Sequence, residues 1–194
     1  MALMAKSVLK GSDRLQKTLA GIGKDLQGGW LKRVLGRFLG RSVRLPHLEI
    51  GFFEDAQYPD GTYVAQVAYW DEYGTEHSLA RPFMRVTISK HQNEWSDLLA
   101  SALEKSGGNL DKALGILGRI IADQVREQIK ETNGPPNSAV TNLLKQRFPK
   151  GDYTAADYFK ARHDAANGAD APAGEVLIWS GQMYQSVNSQ VVSD

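Results

Sequence analysis

The sequence predicts an α+β fold: a small, mainly antiparallel sheet packed by two long helices, with an N-terminal helical arm. Three observations predict it. Short alternating or β-rich apolar runs fall within residues 48–70 and 176–192, a strand pattern. Between them, residues 82–105 and 109–131 carry apolar side chains at helical spacing. Glycine pairs and prolines (Gly28-Gly29, Gly107-Gly108, Asn133-Gly134-Pro135-Pro136) separate these stretches. A chain of 194 residues, 42% hydrophobic and 23% charged, fits one globular domain with appendages. The division this suggests is an arm over 1–46 and a body over 47–194, with a polar insertion at about 149–174.

In the arm, Met4, Val8, Leu15, Leu19, Ile22 and Leu26 recur at steps of three, four and seven, and Trp30, Val34 and Phe38 continue every fourth residue after Gly28-Gly29. Five further glycines each weaken helix by about 1 kcal/mol relative to alanine, so this arm needs something to pack on. Pro46 ends it. Leu48, Ile50 and Phe52 alternate with His47, Glu49 and Gly51 as a half-buried strand. Tyr58-Pro59-Asp60-Gly61 has turn chemistry, and residues 64–70 read as the return strand of an antiparallel hairpin. A helix is expected over 82–105, although Val86-Thr87-Ile88 would tolerate a strand. Asn109 then caps the strongest helix, whose stripe is Leu110, Leu114, Leu117, Ile121, Val125 and Ile129. Ser138 can cap a short helix over 139–147. A short helix at 154–163 is expected within the Ala-, Gly- and Asp-rich 149–174 segment. Residues 176–179 and 187–192 read as closing strands joined through Ser180-Gly181.

The formal charge of +1 hides an asymmetry. Residues 1–46 hold ten Lys/Arg against two Asp, a balance of +8, and the remainder holds thirteen basic against twenty acidic residues, −7. Such an arm can grip nucleic acid, lie on a membrane, or dock on the acidic body of another copy. Docking is preferred, because the basic residues, with only Trp30 and Phe38 among them, are not interleaved with aromatics in the way single-strand binders use. There is no cysteine, which excludes thiolate chemistry and disulfides. No apolar run is long enough to span a bilayer, and Lys6, Lys10, Asp13 and Arg14 interrupt any signal-peptide pattern.

No catalytic constellation, metal site or cofactor motif stands out. The four histidines are scattered, without the i, i+4 spacing of a zinc helix. His163-Asp164 near Asp157 and Asp152 would be the one place for a divalent cation or a small hydrolase, in what reads as a polar loop. Neither glycine pair is followed by the Lys-Ser/Thr of a phosphate loop, and Ser180 lacks a nucleophile elbow's flanking glycine. Asp71 and Glu72, read as strand neighbours, point to opposite faces. The expectation is a non-enzyme. Arg81 and Arg85, four apart, can pair with Glu72 or Glu76 to order their loop, or can meet another subunit beside Tyr73, Phe83 and Met84.

Tyr69-Trp70-Asp71-Glu72-Tyr73-Gly74-Thr75-Glu76 followed by Ala80-Arg81-Pro82-Phe83-Met84-Arg85 is similar to the E-(F/Y)-G-T … A-R-P-F-(L/M)-R signature of neck and tail-completion proteins of tailed double-stranded DNA bacteriophages. Gly134-Pro135-Pro136-Asn137-Ser138 with Thr141 and Lys145, and Ser180-Gly181-Gln182-Met183 with Ser186-Val187, match in the same order. The resemblance spans residues 63–192 in pieces. It implies a structural virion protein, acting in a virion neck after assembly in the host cytoplasm. It further implies a homo-oligomeric ring, most often a hexamer, that joins the tail tube or terminator to the head connector around the channel for genomic DNA. No sequence-specific DNA binding, no cofactor and no membrane are implied. The expected interface residues are Tyr73, Gly74, Thr75, Arg81, Phe83, Met84 and Arg85, with Lys32, Arg33 and Arg37 of the arm. The chain departs from the family in its glycine-rich arm, its 149–174 segment, and Ser180 where threonine is commoner. The alternative is a nucleic-acid-binding module that uses the arm.

Overall fold

The computed structural model describes residues 46–193. Among them the fold is α+β: seven helices and a two-stranded antiparallel sheet. In chain order these are β1 (His47–Gly51), α1 (Val64–Tyr73), α2 (Met84–His91), α3 (Trp95–Lys105), α4 (Leu110–Glu131), α5 (Ala139–Arg147), α6 (Ala155–Ala166), α7 (Gln182–Ser186) and β2 (Asn188–Val192). The arm expected over residues 1–46, with Lys32, Arg33 and Arg37, lies outside the described residues apart from residue 46.

The described residues divide into two compact units, one of residues 50–90 and 120–188, the other of residues 46–49, 91–119 and 189–193. In the first, Phe83 shares a buried apolar cluster with Val64, Ala68, Ala122, Val125, Ile129, Leu177, Met183 and Val187. Phe52 meets the Phe83 ring edge-on, with centroids 6.1 Å apart. A satellite cluster joins α5 and α6 through Leu143, Leu144, Ala161 and Ala171. In the second unit, Trp95, Leu99, Ala102, Ala113, Leu114 and Leu117 are buried. There Gly118 lies under the sheet. A Cβ at this position would stand 2.7 Å from both Leu48 Cδ1 and Ser189 Oγ, so only glycine lets the strands approach α4 this closely.

The expected hairpin is corrected. The turn forms as its residues dictate: Gly61 N–H donates to Tyr58 O at 2.9 Å, and Asp60 accepts from Thr62 N. The pairing then stops after a single antiparallel bridge between Gln57 and Tyr63. Residues 64–70 belong to helix α1, not to a return strand. Val64, Ala68 and Glu72, four apart, all turn into the core, and two alanines favour helix. Burial decided the period, because the aromatic and β-branched residues here suit either form. The helix expected over 82–105 is two helices, α2 and α3. Residues 91–94 are all polar, so a continuous helix would bury nothing there.

Other elements follow their sequence signals. Asn109 Oδ1 accepts from Lys112 N at 2.9 Å, and the stripe from Leu114 to Ile129 is buried. Ser138 caps α5, accepting from Thr141 N. Thr154 and Asp157 form a reciprocal capping box on α6. Most of 149–174 is exposed, yet Ala161 is fully buried against α5. Of the two closing strands only β2 forms. Residues 176–179 are not a strand, because the Val176 and Ile178 carbonyls accept from side chains and leave no ladder.

Candidate functional site

Glu72 organises the junction of α1 and α2. It sits on the last turn of α1, is 5% exposed, and accepts from the backbone N–H groups of Phe83, Met84 and Arg85 at 2.8, 2.8 and 3.1 Å. These donors open α2 and have no partner within their own helix, so a carboxylate from another helix caps them. Arg85 returns the contact: its Nε donates to Glu72 Oε1 at 2.8 Å and its guanidinium donates to Glu72 O at 2.7 Å. Asp71 and Glu72 therefore lie on a helix, and the strand geometry expected for them is corrected.

The loop between α1 and α2 is held open by Gly74, whose φ is +79°. A Cβ there would stand 2.8 Å from Ser78 O and 2.9 Å from Ala80 N. Thr75 N–H donates to Ser78 O, and Thr75 Oγ1 accepts from His77 N. Arg81 precedes α2 and does not share a helix face with Arg85. Its backbone N–H donates to Asp71 O at 2.6 Å, and its guanidinium lies 3.9 Å from the Asp71 carboxylate. The same guanidinium reaches across the fold to donate to Pro135 O at 2.8 Å and Asn137 Oδ1 at 3.2 Å. Asn137 in turn donates from Nδ2 to Val176 O.

Lys145, on α5, completes this network. Its ammonium donates to the carbonyls of Glu175, Val176 and Ile178 at 2.8, 3.1 and 2.8 Å. Burial, and then the neighbouring Arg81 charge, pulls its pKa down to about 8, while Asp71 and Glu175 act in the opposite direction. Burial pushes the Asp71 carboxyl up, against Arg81 and Lys145. The Tyr58 hydroxyl is pushed up to about 12 by burial and by the Asp71 and Asp60 charges. The three motif segments thus converge in one unit: Arg81 ties the first to Pro135 and Asn137, Lys145 ties the second to residues 175–178, and Met183 and Val187 share the core with Phe83.

The Lys145 geometry makes a prediction. Between pH 8 and 10 the unfolded chain keeps a lysine proton that the folded chain has released, so the unfolded state binds more protons and stability rises with pH. Above pH 10 the raised Tyr58 pKa acts in the opposite sense. Replacing Lys145 by Met is expected to remove the rise. It also leaves the Glu175 and Ile178 carbonyls without this donor, while Val176 O keeps Asn137, a loss of about 1–3 kcal/mol at neutral pH. Thermal melts of both proteins from pH 7 to 10 check this; parallel pH profiles would contradict it.

Of the expected interface residues, Phe83 is buried in the core and Met84 is half-buried against it. Tyr73, Thr75 and Arg85 are exposed. The Arg85 guanidinium lies 4.9 Å from the Tyr73 ring centroid, and the Tyr73 and Tyr69 centroids are 4.8 Å apart. With Trp70, at 42% exposure, they give α1 an aromatic outer face that sequence reasoning missed while it read this segment as a strand. Asp164 is held by Arg147 at 2.7 Å and Asp157 by Thr154, and His163 is exposed. Among the described residues no cluster of three or more His, Cys, Asp or Glu is placed to hold a metal ion, and no helix is long and apolar enough to cross a membrane.

No family model, no curated protein and no solved structure matches this chain.

Proposed function

We propose that this chain is a structural virion protein of a tailed-phage neck, a ring of copies, six-fold, that joins the tail to the head connector around the DNA channel. The observation that carries the reading is the fate of the motif residues. Glu72, Arg81, Asn137 and Lys145 spend their polar groups on one another and on backbone groups of distant segments. They brace a scaffold and offer no free nucleophile or acid–base pair. What the scaffold presents is Tyr69, Trp70, Tyr73 and Arg85, residue types favoured as interface anchors. A ring needs a head-to-tail interface built from two different surfaces. The basic 1–46 segment and the acidic remainder supply two such surfaces of opposite charge.

The reading expects the full chain to self-associate, and Lys32→Gln with Arg33→Gln and Arg37→Gln to weaken that association most at low salt, where charge contacts are least screened. Sedimentation across a salt series reads this. A chain that stays monomeric at every concentration, yet binds free DNA with an affinity falling steeply with salt, would instead favour the nucleic-acid-binding module.

A further inference from the structure

The large apolar side chains left exposed among the described residues fall into two groups, both within the unit of residues 50–90 and 120–188. One lies along α1 and the loop after it: Tyr63, Tyr69, Trp70, Tyr73 and Leu79. The other lies on α6 and the loop before it: Tyr153, Tyr158 and Phe159. In each group two rings touch, with centroids 4.8 Å apart for Tyr69 and Tyr73 and 5.7 Å for Tyr158 and Phe159. Exposed apolar patches rimmed by polar residues mark interaction sites on soluble proteins.

The two groups differ in charge. Residues 46–80 hold seven Asp/Glu and no Lys or Arg. Asp71 and Glu72 are spent on Arg81 and Arg85, while Glu54, Asp55, Asp60 and Glu76 are exposed. These four bracket α1. Ala56 O accepts from Val64 N, which sets the Glu54-Asp55 turn beside the start of α1 together with Asp60, and Glu76 follows its end. Arg85, the cation on this surface, is already held by Glu72. Around α6 the sign reverses. Lys150, Lys160 and Arg162 are exposed, the Asp157 and Asp164 carboxylates are committed to Thr154 and Arg147, and Asp152 is the exposed acid beside the three cations. Helix geometry turns Phe159, 63% exposed, away from Ala161, the residue that α6 buries against α5.

We infer that α1 of one copy packs against α6 of a second copy, with the aromatic faces in contact and the acidic ends of α1 meeting Lys150, Lys160 and Arg162. Two different surfaces of one chain make a head-to-tail contact, the kind a closed ring requires. Aromatic residues are enriched at interface centres, and opposite charges fix register and orientation. The two helices also match in length, 10 and 12 residues. Nucleic acid would account for the basic α6 surface alone and would be repelled by the acidic surroundings of α1. The inference rests on the ring reading and adds to it a contact that does not involve residues 1–46.

The test is sedimentation of the full chain, with thermal melts showing that each variant is folded. Trp70→Gln removes a ring from the α1 surface, and Phe159→Gln removes the most exposed ring of the α6 surface. Each alone should weaken self-association about tenfold, the effect of losing one interface anchor. Lys160→Glu with Arg162→Glu should weaken it too, with the largest difference from wild type at low salt. Trp70→Gln chains keep an intact α6 and Phe159→Gln chains an intact α1, so an equimolar mixture should form dimers that neither variant forms alone at the same concentration. Folded variants that associate like wild type would overturn the inference while leaving the ring reading intact. A mixture no more associated than its components would also overturn it, because a symmetric α1–α1 or α6–α6 contact cannot be complemented this way. Loss of binding to a labelled single-stranded DNA oligonucleotide in Phe159→Gln, with self-association unchanged, would assign α6 to nucleic acid instead. A wild type that stays monomeric at every concentration would defeat the ring reading and this contact together.

Discussion

Phe83→Ala should destabilise the protein by about 3–5 kcal/mol, the range for removing a large aromatic from a packed core. Phe83 is 1% exposed and belongs to one buried cluster with Val64 and Ala68 of α1, Val125 and Ile129 of α4, and Leu177, Met183 and Val187. Because these cluster members come from three helices and the segments beside α7, they cannot all move in to fill the space, which puts the effect at the upper end of that range. At this chain length the melting temperature should fall by roughly 10 °C or more. A melt within error of wild type would mean that the ring is not part of the core.

Glu72→Ala should have the second-largest effect, about 3 kcal/mol, for a different reason. The side chain contributes little apolar area, but its carboxylate satisfies three backbone donors at the start of α2 and the Arg85 guanidinium. Removing it leaves the buried Phe83 N–H without an acceptor and leaves Arg85 the residue-72 carbonyl and the Tyr73 ring. Each orphaned buried donor costs about 1–3 kcal/mol, and partial solvation of the Met84 and Arg85 N–H groups limits the sum. Glu72→Gln keeps one acceptor oxygen and should lie between wild type and alanine. Denaturant melts of the three proteins give the order. A loss from alanine no larger than that of an exposed surface change, about 0.5 kcal/mol, would contradict the capping role.

Legibility in the sequence followed locality. Helix α4 was readable because Asn109 starts it, Asn133-Gly134-Pro135-Pro136 ends it, and its stripe keeps one period for five turns. The cap of α5 acts across three residues, so Ser138 announced it, while the equally local Thr154–Asp157 box of α6 went unread. The α+β class followed from these elements and from the short strands at both ends of the body. Residues 64–70 misled because alternation and helical spacing coexist in them, and only the burial of Val64, Ala68 and Glu72 on one face separates the two. Residues 176–179 look like a strand by composition, but their carbonyls go to Lys145 and Asn137, from segments more than thirty positions earlier. The convergence of Arg81 with Pro135 and Asn137 is equally non-local. The segments were legible as three motifs, while their mutual contacts were not.

The neck assignment is tested most directly by electron microscopy of a lysate from a phage genome lacking the gene for this chain. The account predicts DNA-filled heads and complete tails that remain unjoined, with infectious virions restored when the full chain is supplied in trans. Normally joined, infectious particles in its absence would contradict the account.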